Sequence, residues 1–243
     1  GKVSKLAVLD VGNNSLKYNV SNWPYDWNWN WNHNLKYLNL SGNKRLEIKP
    51  SGSSGHGREG RDLTDFTSLV NLRVLGLMDV TLMVPSVPDQ NEDRRVRTSG
   101  STVGSMAYGM ADSLGRNEHL STMDLVIPKF RSHDDEVILG MFDGQSLSSG
   151  GSKIARYLYD NFKNRFAEEL DKLRSEENPG DALRRTYLGL NKELATVAMQ
   201  ILDSKTNQAS MAHRGSVSAP ELAEDDLNSG SVATVIFLKE MEL

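Results

Sequence analysis

The sequence contains no cysteine, which excludes disulfide bonds and thiolate metal sites and is consistent with an intracellular chain. It has no run of about eighteen apolar residues, and its first residues do not resemble a signal peptide, so no transmembrane segment is predicted. Basic residues are not in excess, because 28 Lys and Arg stand against 32 Asp and Glu, and no nucleic-acid partner is predicted. An initiator methionine is also missing, and we expect a piece of a longer protein.

What the chain does have is leucine, recurring near the N-terminus on the template L-x-x-L-x-L-x-x-N-x-L. LAVLDVGNNSL and LKYLNLSGN are two copies, and LRVLGLMDV is a third in which Val80 replaces the asparagine. Each unit of this kind gives one short strand to a parallel sheet and its leucines to a shared core. Chance leucine clusters on ordinary strands are the alternative to a leucine-rich-repeat solenoid over residues 1–88. The predicted repeat core comprises Leu6, Leu9, Val11, Asn14, Leu35, Leu38, Leu40, Asn43, Leu72, Leu75 and Leu77.

Two insertions separate these copies. The first, WPYDWNWNWN, holds all four tryptophans and predicts either a partner-binding surface or a cover on the convex side of the array. The second, residues 50–62, is rich in Gly and Ser and is predicted to be a surface loop; His56 and its basic neighbours would alternatively suit a phosphate.

The composition changes after Pro88, and the charged stretch 89–101 is predicted to be a linker. Strands are then expected near 103–111, 122–130 and 136–142. Apolar residues at helical spacing predict one helix over 152–174 and a second that Asp181 caps. A buried strand over 231–238 completes the order, which predicts part of a layered α+β domain over 102–243.

The stretch EVILGMFDGQ is the candidate functional site of this second segment. It reads as a buried strand that ends at Asp143 and Gly144. A carboxylate at a strand end, beside a glycine that allows close approach, suits a divalent metal with oxygen ligands. The alternative is an ordinary Asp-Gly turn.

The second segment resembles the first half of the metal-dependent protein phosphatases of type 2C. The resemblance lies in the order of its parts, which are GMADSLGRNEHLSTMD, VILGMFDGQ, a helix pair and SGSVATVIFL. The resemblance places Asp124 on the second acid of the family's Glu-Asp pair, and Asp143 and Gly144 on its metal-binding Asp-Gly. Arg116 would correspond to the phosphate-binding arginine, at a looser spacing.

Two departures from this family predict an inactive domain. Gln145 stands where the family has a histidine that acts as general acid, and an amide does not transfer a proton at neutral pH. Met123 stands at the first acid, which removes an acceptor for metal-bound water. The family's remaining metal-binding aspartates are expected beyond Leu243, so the metal site is predicted to be vestigial and weak, without phosphoester hydrolysis.

The chain resembles the Ras-responsive adenylate cyclases of fungi. The resemblance lies in the segments LKYLNLSGNKRLEIKP and GMADSLGRNEHLSTMDL and in the order of repeats and phosphatase-like domain. The resemblance implies a multidomain protein that makes cyclic AMP and diphosphate from ATP with Mg²⁺ or Mn²⁺. It also implies a Ras-type GTPase bound by the repeat array, and a location that is cytoplasmic or peripheral at the membrane through Ras. No cyclase domain lies in the chain, so no cyclase residue is assigned and the fragment is expected to be inactive as a cyclase.

Two other functions stay open at this point. The first is a metal-dependent Ser/Thr protein phosphatase fused to leucine-rich repeats, which Gln145 disfavours. The second is a pure interaction scaffold, which would have no folded α+β domain after Asp89 and is disfavoured by the two amphipathic helices.

Overall fold

The computed structural model describes residues 3–17, 32–48, 66–83, 87–91, 93–111, 120–146, 151–206 and 222–240. The chain divides into two compact units, Gly1–Glu118 and His119–Leu243. The four tryptophans, the loop 50–62 and Arg116 lie outside the described residues. The strands of the first unit are β1 (Val8–Asp10), β2 (Tyr37–Asn39), β3 (Glu47–Ile48), β4 (Val74–Gly76), β5 (Thr81–Leu82), β6 (Arg95–Arg97), β7 (Thr102–Val103) and β8 (Met106–Ala107).

A parallel sheet with the strand order β1-β2-β4-β6 forms the centre of the first unit. Side chains alternate along each strand, so the middle residue of each strand faces the core. Leu9, Leu38, Leu75 and Val96 are aligned there across the sheet. Leu38 and Leu75 are fully buried, whereas Leu9 is half-buried because β1 lies at the sheet edge. The fully or almost fully buried residues of the second and third leucine copies are Leu35, Leu38, Leu40, Leu72, Leu75 and Leu77.

The side chain of Asn43 joins the first two turns that leave the sheet. Its Oδ1 accepts hydrogen bonds from the backbone N–H groups of Asn14 at 3.1 Å and Leu16 at 2.8 Å. Its Nδ2 donates to the carbonyl oxygens of Val11 at 3.0 Å and Leu40 at 2.7 Å. Asn43 has no exposed surface, so these four contacts satisfy a buried amide together with backbone groups of two successive turns.

The third turn has no asparagine corresponding to Asn43, because Val80 occupies that position and is buried in the core. A hydrogen bond to the preceding residue is found there instead. That residue, Asp79, has a positive φ of 58°. Its Oδ1 accepts a hydrogen bond from the backbone N–H of Ser101 at 2.8 Å. The contacts from the Ser101 side chain and backbone hold the pKa of the Asp79 carboxyl below its ordinary value.

The stretch 89–101, predicted to be a linker, contains β6. This strand pairs in parallel with β4, and Val96 packs against the leucine core. Val96 is the one apolar residue of β6 and lies between two arginines. The charged composition of the segment is therefore that of a linker, although it contains a strand. The division between Glu118 and His119 therefore differs from the boundary expected near Asp89. The long strand expected over 103–111 is also absent from the structure, which has the short antiparallel pair β7–β8 in its place.

The second unit has an antiparallel sheet with the strand order β11-β10-β9. Its elements are β9 (Thr122–Ile127), β10 (Glu136–Ser146), α1 (Gly151–Asp171), α2 (Pro179–Thr206) and β11 (Ser229–Lys239). This is the sheet-rich α+β arrangement that the sequence predicts for the segment. One sheet face packs on the helices, and the other carries the exposed side chains of Met141, Val232 and Ile236.

Phenylalanines fill the space between the sheet and α1. Phe142 of β10 lies 5.7 Å from Phe162 of α1, measured between ring centroids. Phe166 stacks on Phe130 at 5.7 Å and meets the ring of Phe237 edge-on at 5.2 Å. Phe130, Phe142, Phe162 and Phe166 are almost completely buried, so this cluster fixes the helices on one face and leaves the other face to the candidate site.

The start of α2 differs in detail from the expectation that Asp181 is its cap. Asn178 precedes the helix, and its Oδ1 accepts from the N–H of Gly180 at 2.8 Å. Asp181 is the third helical residue, and its Oδ2 accepts from the N–H of Asn178 at 3.0 Å. With Pro179 in the first helical position, this is a reciprocal capping box with Asn178 as the N-cap.

Candidate functional site

Asp143 lies near the end of β10, on the sheet face that points away from the helices. In the antiparallel register it is opposite Thr122 of β9 and Val232 of β11, while Asp124 is opposite Met141. Residues opposite each other share a face, and so do residues two apart on one strand. Asp124 and Asp143 therefore project from the same face, two positions apart in register.

Neutral donors hold the Asp143 carboxylate. The Thr122 hydroxyl donates to Oδ1 at 3.0 Å, and the Gln145 amide nitrogen donates to Oδ2 at 2.9 Å. Both contacts are possible because the three side chains lie on one face of adjacent strands. Gln145 therefore acts as a hydrogen-bond donor to the Asp143 carboxylate.

Gly144 belongs to the strand itself. Its backbone N–H donates to the carbonyl of Ser121 at 2.9 Å, and the residue is buried. Asp143 and Gly144 thus lie within β10, which runs on to Ser146, rather than in a turn after the strand.

Met123 is on the other face of β9. It is aligned with Phe142, is 3% exposed and belongs to the core beneath the helices. A carboxylate at this position would face that core rather than Asp143. The structure therefore gives Met123 a packing role and does not support its interpretation as a vacated acid of the metal site.

The described donors do not fit a divalent metal centre. Hard cations take about six or more oxygen ligands, and binding is weak when the protein supplies few of them. Asp124 and Asp143 supply two carboxylates on this face, and the second is engaged by Thr122 and Gln145. Within the part of the chain that the structure describes, no group of three or more His, Asp or Glu side chains could hold a metal ion.

Comparison with known proteins first defines the class of the second unit. Residues 123–243 match the family model described as Protein phosphatase 2C. The chain therefore carries a phosphatase 2C domain, and the resemblance predicted from Asp124, Asp143 and the following helix pair is confirmed. No solved structure matches the chain.

The whole chain is homologous to a segment of the fungal adenylate cyclases. It is 57% identical to "Adenylate cyclase" of Podospora anserina over 243 residues, which cover 100% of the chain and 11% of that protein. It is 51% identical to the protein of the same name from Neurospora crassa, again over 100% of the chain and 11% of the relative. For the Mycosarcoma maydis protein the identity is 44%, over 100% of the chain and 10% of the relative. The chain thus spans about a tenth of the length of the relatives that it matches. No helix in the described ranges is long and apolar enough to cross a membrane.

Proposed function

We propose that this chain is a regulatory part of an adenylate cyclase and that neither of its units performs the cyclase reaction. The support is the match to proteins named adenylate cyclase along its full length, at 57% identity for the Podospora anserina protein. On this proposal the parent protein makes cyclic AMP and diphosphate from ATP, in a separate cyclase domain that uses Mg²⁺ or Mn²⁺.

The phosphatase 2C unit is proposed to be catalytically inactive. The observation that carries this proposal is the hydrogen bond of 2.9 Å from the Gln145 amide to the Asp143 carboxylate. An amide cannot serve as the general acid, and here it also occupies an oxygen that a metal would need. The unit would then be retained for its fold and its surfaces.

A phosphatase assay tests this part of the proposal. The purified chain, with Mn²⁺ and p-nitrophenyl phosphate, is expected to show no turnover above the buffer rate, while an active type 2C phosphatase assayed in parallel shows it. The Gln145→His variant is expected to stay inactive as well, because the described carboxylates still number too few to hold the metal. Brisk Mn²⁺-dependent turnover by the unmodified chain would overturn the proposal.

The first unit is proposed to be the end of a leucine-rich-repeat array. Its four parallel strands, its aligned leucines and the Asn43 contacts between successive turns support this assignment. A Ras-type GTPase is the partner proposed for the array, and the location would then be cytoplasmic or peripheral at the membrane through that GTPase. Isothermal titration of the chain with a GTP-loaded Ras-type GTPase tests the partner, with the GDP-loaded form as the control. Equal binding of both forms, or none, would contradict it.

A further inference from the structure

The turn between β9 and β10 is an exposed corner of the second unit, at the opposite end of β10 from Asp143. The backbone N–H of Ser132 donates to the carbonyl of Lys129 at 3.0 Å, which closes a four-residue turn and keeps the Cα atoms of its two ends within about 7 Å. Phe130 is 1% exposed in the phenylalanine cluster. The turn is therefore anchored at Phe130 and presents Lys129 and Ser132 to solvent.

The backbone of this turn is strained. Lys129, Arg131 and Ser132 have φ values of 54°, 52° and 66°, in the left-handed region that residues with a side chain rarely adopt. Extension of the chain at Ser132 relieves part of this strain. The cost of drawing the serine into the active site of a modifying enzyme is lowered accordingly.

Ion pairs hold the turn on the sheet and on α1. Arg131 donates to both carboxylate oxygens of Glu136, from Nε at 3.0 Å and from Nη2 at 2.7 Å. Its Nη1 donates to Asp171, at the end of α1, at 3.0 Å. Glu136 is 1% exposed, so the guanidinium neutralises a buried carboxylate. Lys129 pairs with the exposed Asp134 at 2.6 Å, and this hydrogen-bonded contact raises the pKa of the lysine and lowers that of the aspartate.

Ser132 offers an accessible hydroxyl in an acidic stretch of sequence. Ser132, His133 and Asp134 are consecutive exposed residues. Asp134 and Asp135 follow the serine at the second and third positions, and the side chain of Asp134 is 82% exposed. Carboxylates in these positions are a charge pattern that complements a kinase with a basic substrate groove.

We propose that Ser132 is a phosphorylation site for an acid-directed Ser/Thr protein kinase and that its phosphate separates Arg131 from Glu136. The γ-phosphoryl group of ATP is transferred to Ser132 Oγ. The Oγ–P bond forms, the bond between the γ-phosphorus and ADP breaks, and the hydroxyl proton passes to the kinase. The phosphate adds about two negative charges at neutral pH.

These charges act on both ion pairs of the turn. Lys129 lies across the turn from Ser132, and Arg131 is the preceding residue. A dianion attracts both cations more strongly than a carboxylate does, and it repels Glu136 and Asp134. Because Glu136 is buried, loss of its partner destabilises the start of β10. Phosphorylation is therefore expected to loosen this corner of the second unit.

Casein kinase 2 with ATP is the probe for the modification, applied to the purified chain. Mass spectrometry is expected to find phosphate on Ser132. Ser121 is the internal control, because Asp124 follows it at the same third position but Ser121 is half-buried beside β9. Absence of phosphate from Ser132, or equal modification of the two serines, would overturn the assignment of the site.

Variants test the acidic recognition. Asp134→Asn combined with Asp135→Asn is expected to lower the rate of phosphorylation at Ser132 by about tenfold. Asp160→Asn is the matched control, because it removes an exposed carboxylate of α1 and should leave the rate unchanged. An unchanged rate in the double variant would show that the kinase does not read these carboxylates and would contradict the proposal.

Hydrogen–deuterium exchange tests the release of Arg131. Phosphorylation is expected to raise exchange in residues 136–142 by about tenfold, relative to kinase-treated Ser132→Ala. In Glu136→Gln the pair is already broken, so the phosphate should add less than about twofold. Circular dichroism at 222 nm is the folding control for this variant, and the NMR resonance of Arg131 Nε–H in the unmodified sequence, which should move on phosphorylation, is a second measurement. Unchanged exchange, an equal rise in Glu136→Gln or an unmoved Nε resonance would overturn the release.

Discussion

The Asn43 side chain is the group whose removal has the best-defined effect on the free energy of unfolding. Asn43→Ala deletes four hydrogen bonds of 2.7 to 3.1 Å that join two successive turns. Each such bond contributes about 1 kcal/mol net, and part of the site is open to water, so we expect a loss of about 3 kcal/mol in the first unit. Asn14→Ala is the matched control, because its side chain donates one exposed bond, to Gly12 at 2.8 Å, and should cost less than about 0.5 kcal/mol.

Because the chain has two compact units, the assay must report on each of them separately. Hydrogen–deuterium exchange at increasing urea concentrations does so, with peptides covering 35–43 for the first unit and 154–170 for the second. Asn43→Ala is expected to lower the free energy of opening only in the first peptide. Equal effects of Asn43→Ala and Asn14→Ala, or an effect seen only at 154–170, would refute the reasoning.

Three further changes test the core, a buried ion pair and the acid response. Leu38→Asp places a charge where the side chain has no exposed surface, so residues 35–43 should lose their exchange protection. Glu136→Gln breaks a pair in which Arg131 donates to both carboxylate oxygens at 2.7 and 3.0 Å, and circular dichroism at 222 nm should show the second unit destabilised by about 3 kcal/mol. The contacts from Ser101 lower the pKa of the Asp79 carboxyl from 3.8. The ionised carboxylate therefore stabilises the folded unit above that value, and this stabilisation is lost as the pH falls through the lower, folded-state pKa. Asp79→Asn should flatten the acid dependence of the unfolding free energy, measured by urea unfolding from pH 5 to pH 2.5.

Each of these changes has a control that leaves the critical contact intact. Val70→Asp adds the same charge as Leu38→Asp at a side chain that is 69% exposed, and should leave exchange unchanged. Asp134→Asn breaks the exposed pair with Lys129 and should leave the thermal midpoint unchanged. Asp89→Asn removes an exposed carboxylate and should not alter the acid response. If a control variant changes the measured quantity as much as its test variant does, the corresponding argument is contradicted.

The two units have different relations to function. In the first, buried leucines and Asn43 hold a sheet whose other side lines a cavity at Gly76. In the second, the phenylalanine cluster fixes one sheet face, and the opposite face displays Asp143 in contact with Gln145. Among the described residues, each unit therefore has one sheet face in its packed core and carries polar side chains on the other.

The sequence by itself determined the elements whose patterns are local. The leucine template predicted β1, β2 and β4, since alternation along a strand decides which side chains are buried. Spacings of three and four predicted α1 and α2, and the pattern around Asp143 predicted the phosphatase 2C resemblance that the family match confirms. That Gln145 replaces a general acid stays a prediction from the sequence.

The tertiary structure decided which distant residues meet. β6 became visible only through its pairing with β4, because one apolar residue between two arginines carries too little periodic pattern to predict a strand. Met123 proved to be a core residue, since the face that it occupies follows from the register with β10. The contact of Asp143 with Thr122 and the cavity around Gly76 likewise depend on strands far apart in the chain, whose alignment is set by packing and hydrogen bonding across the sheets.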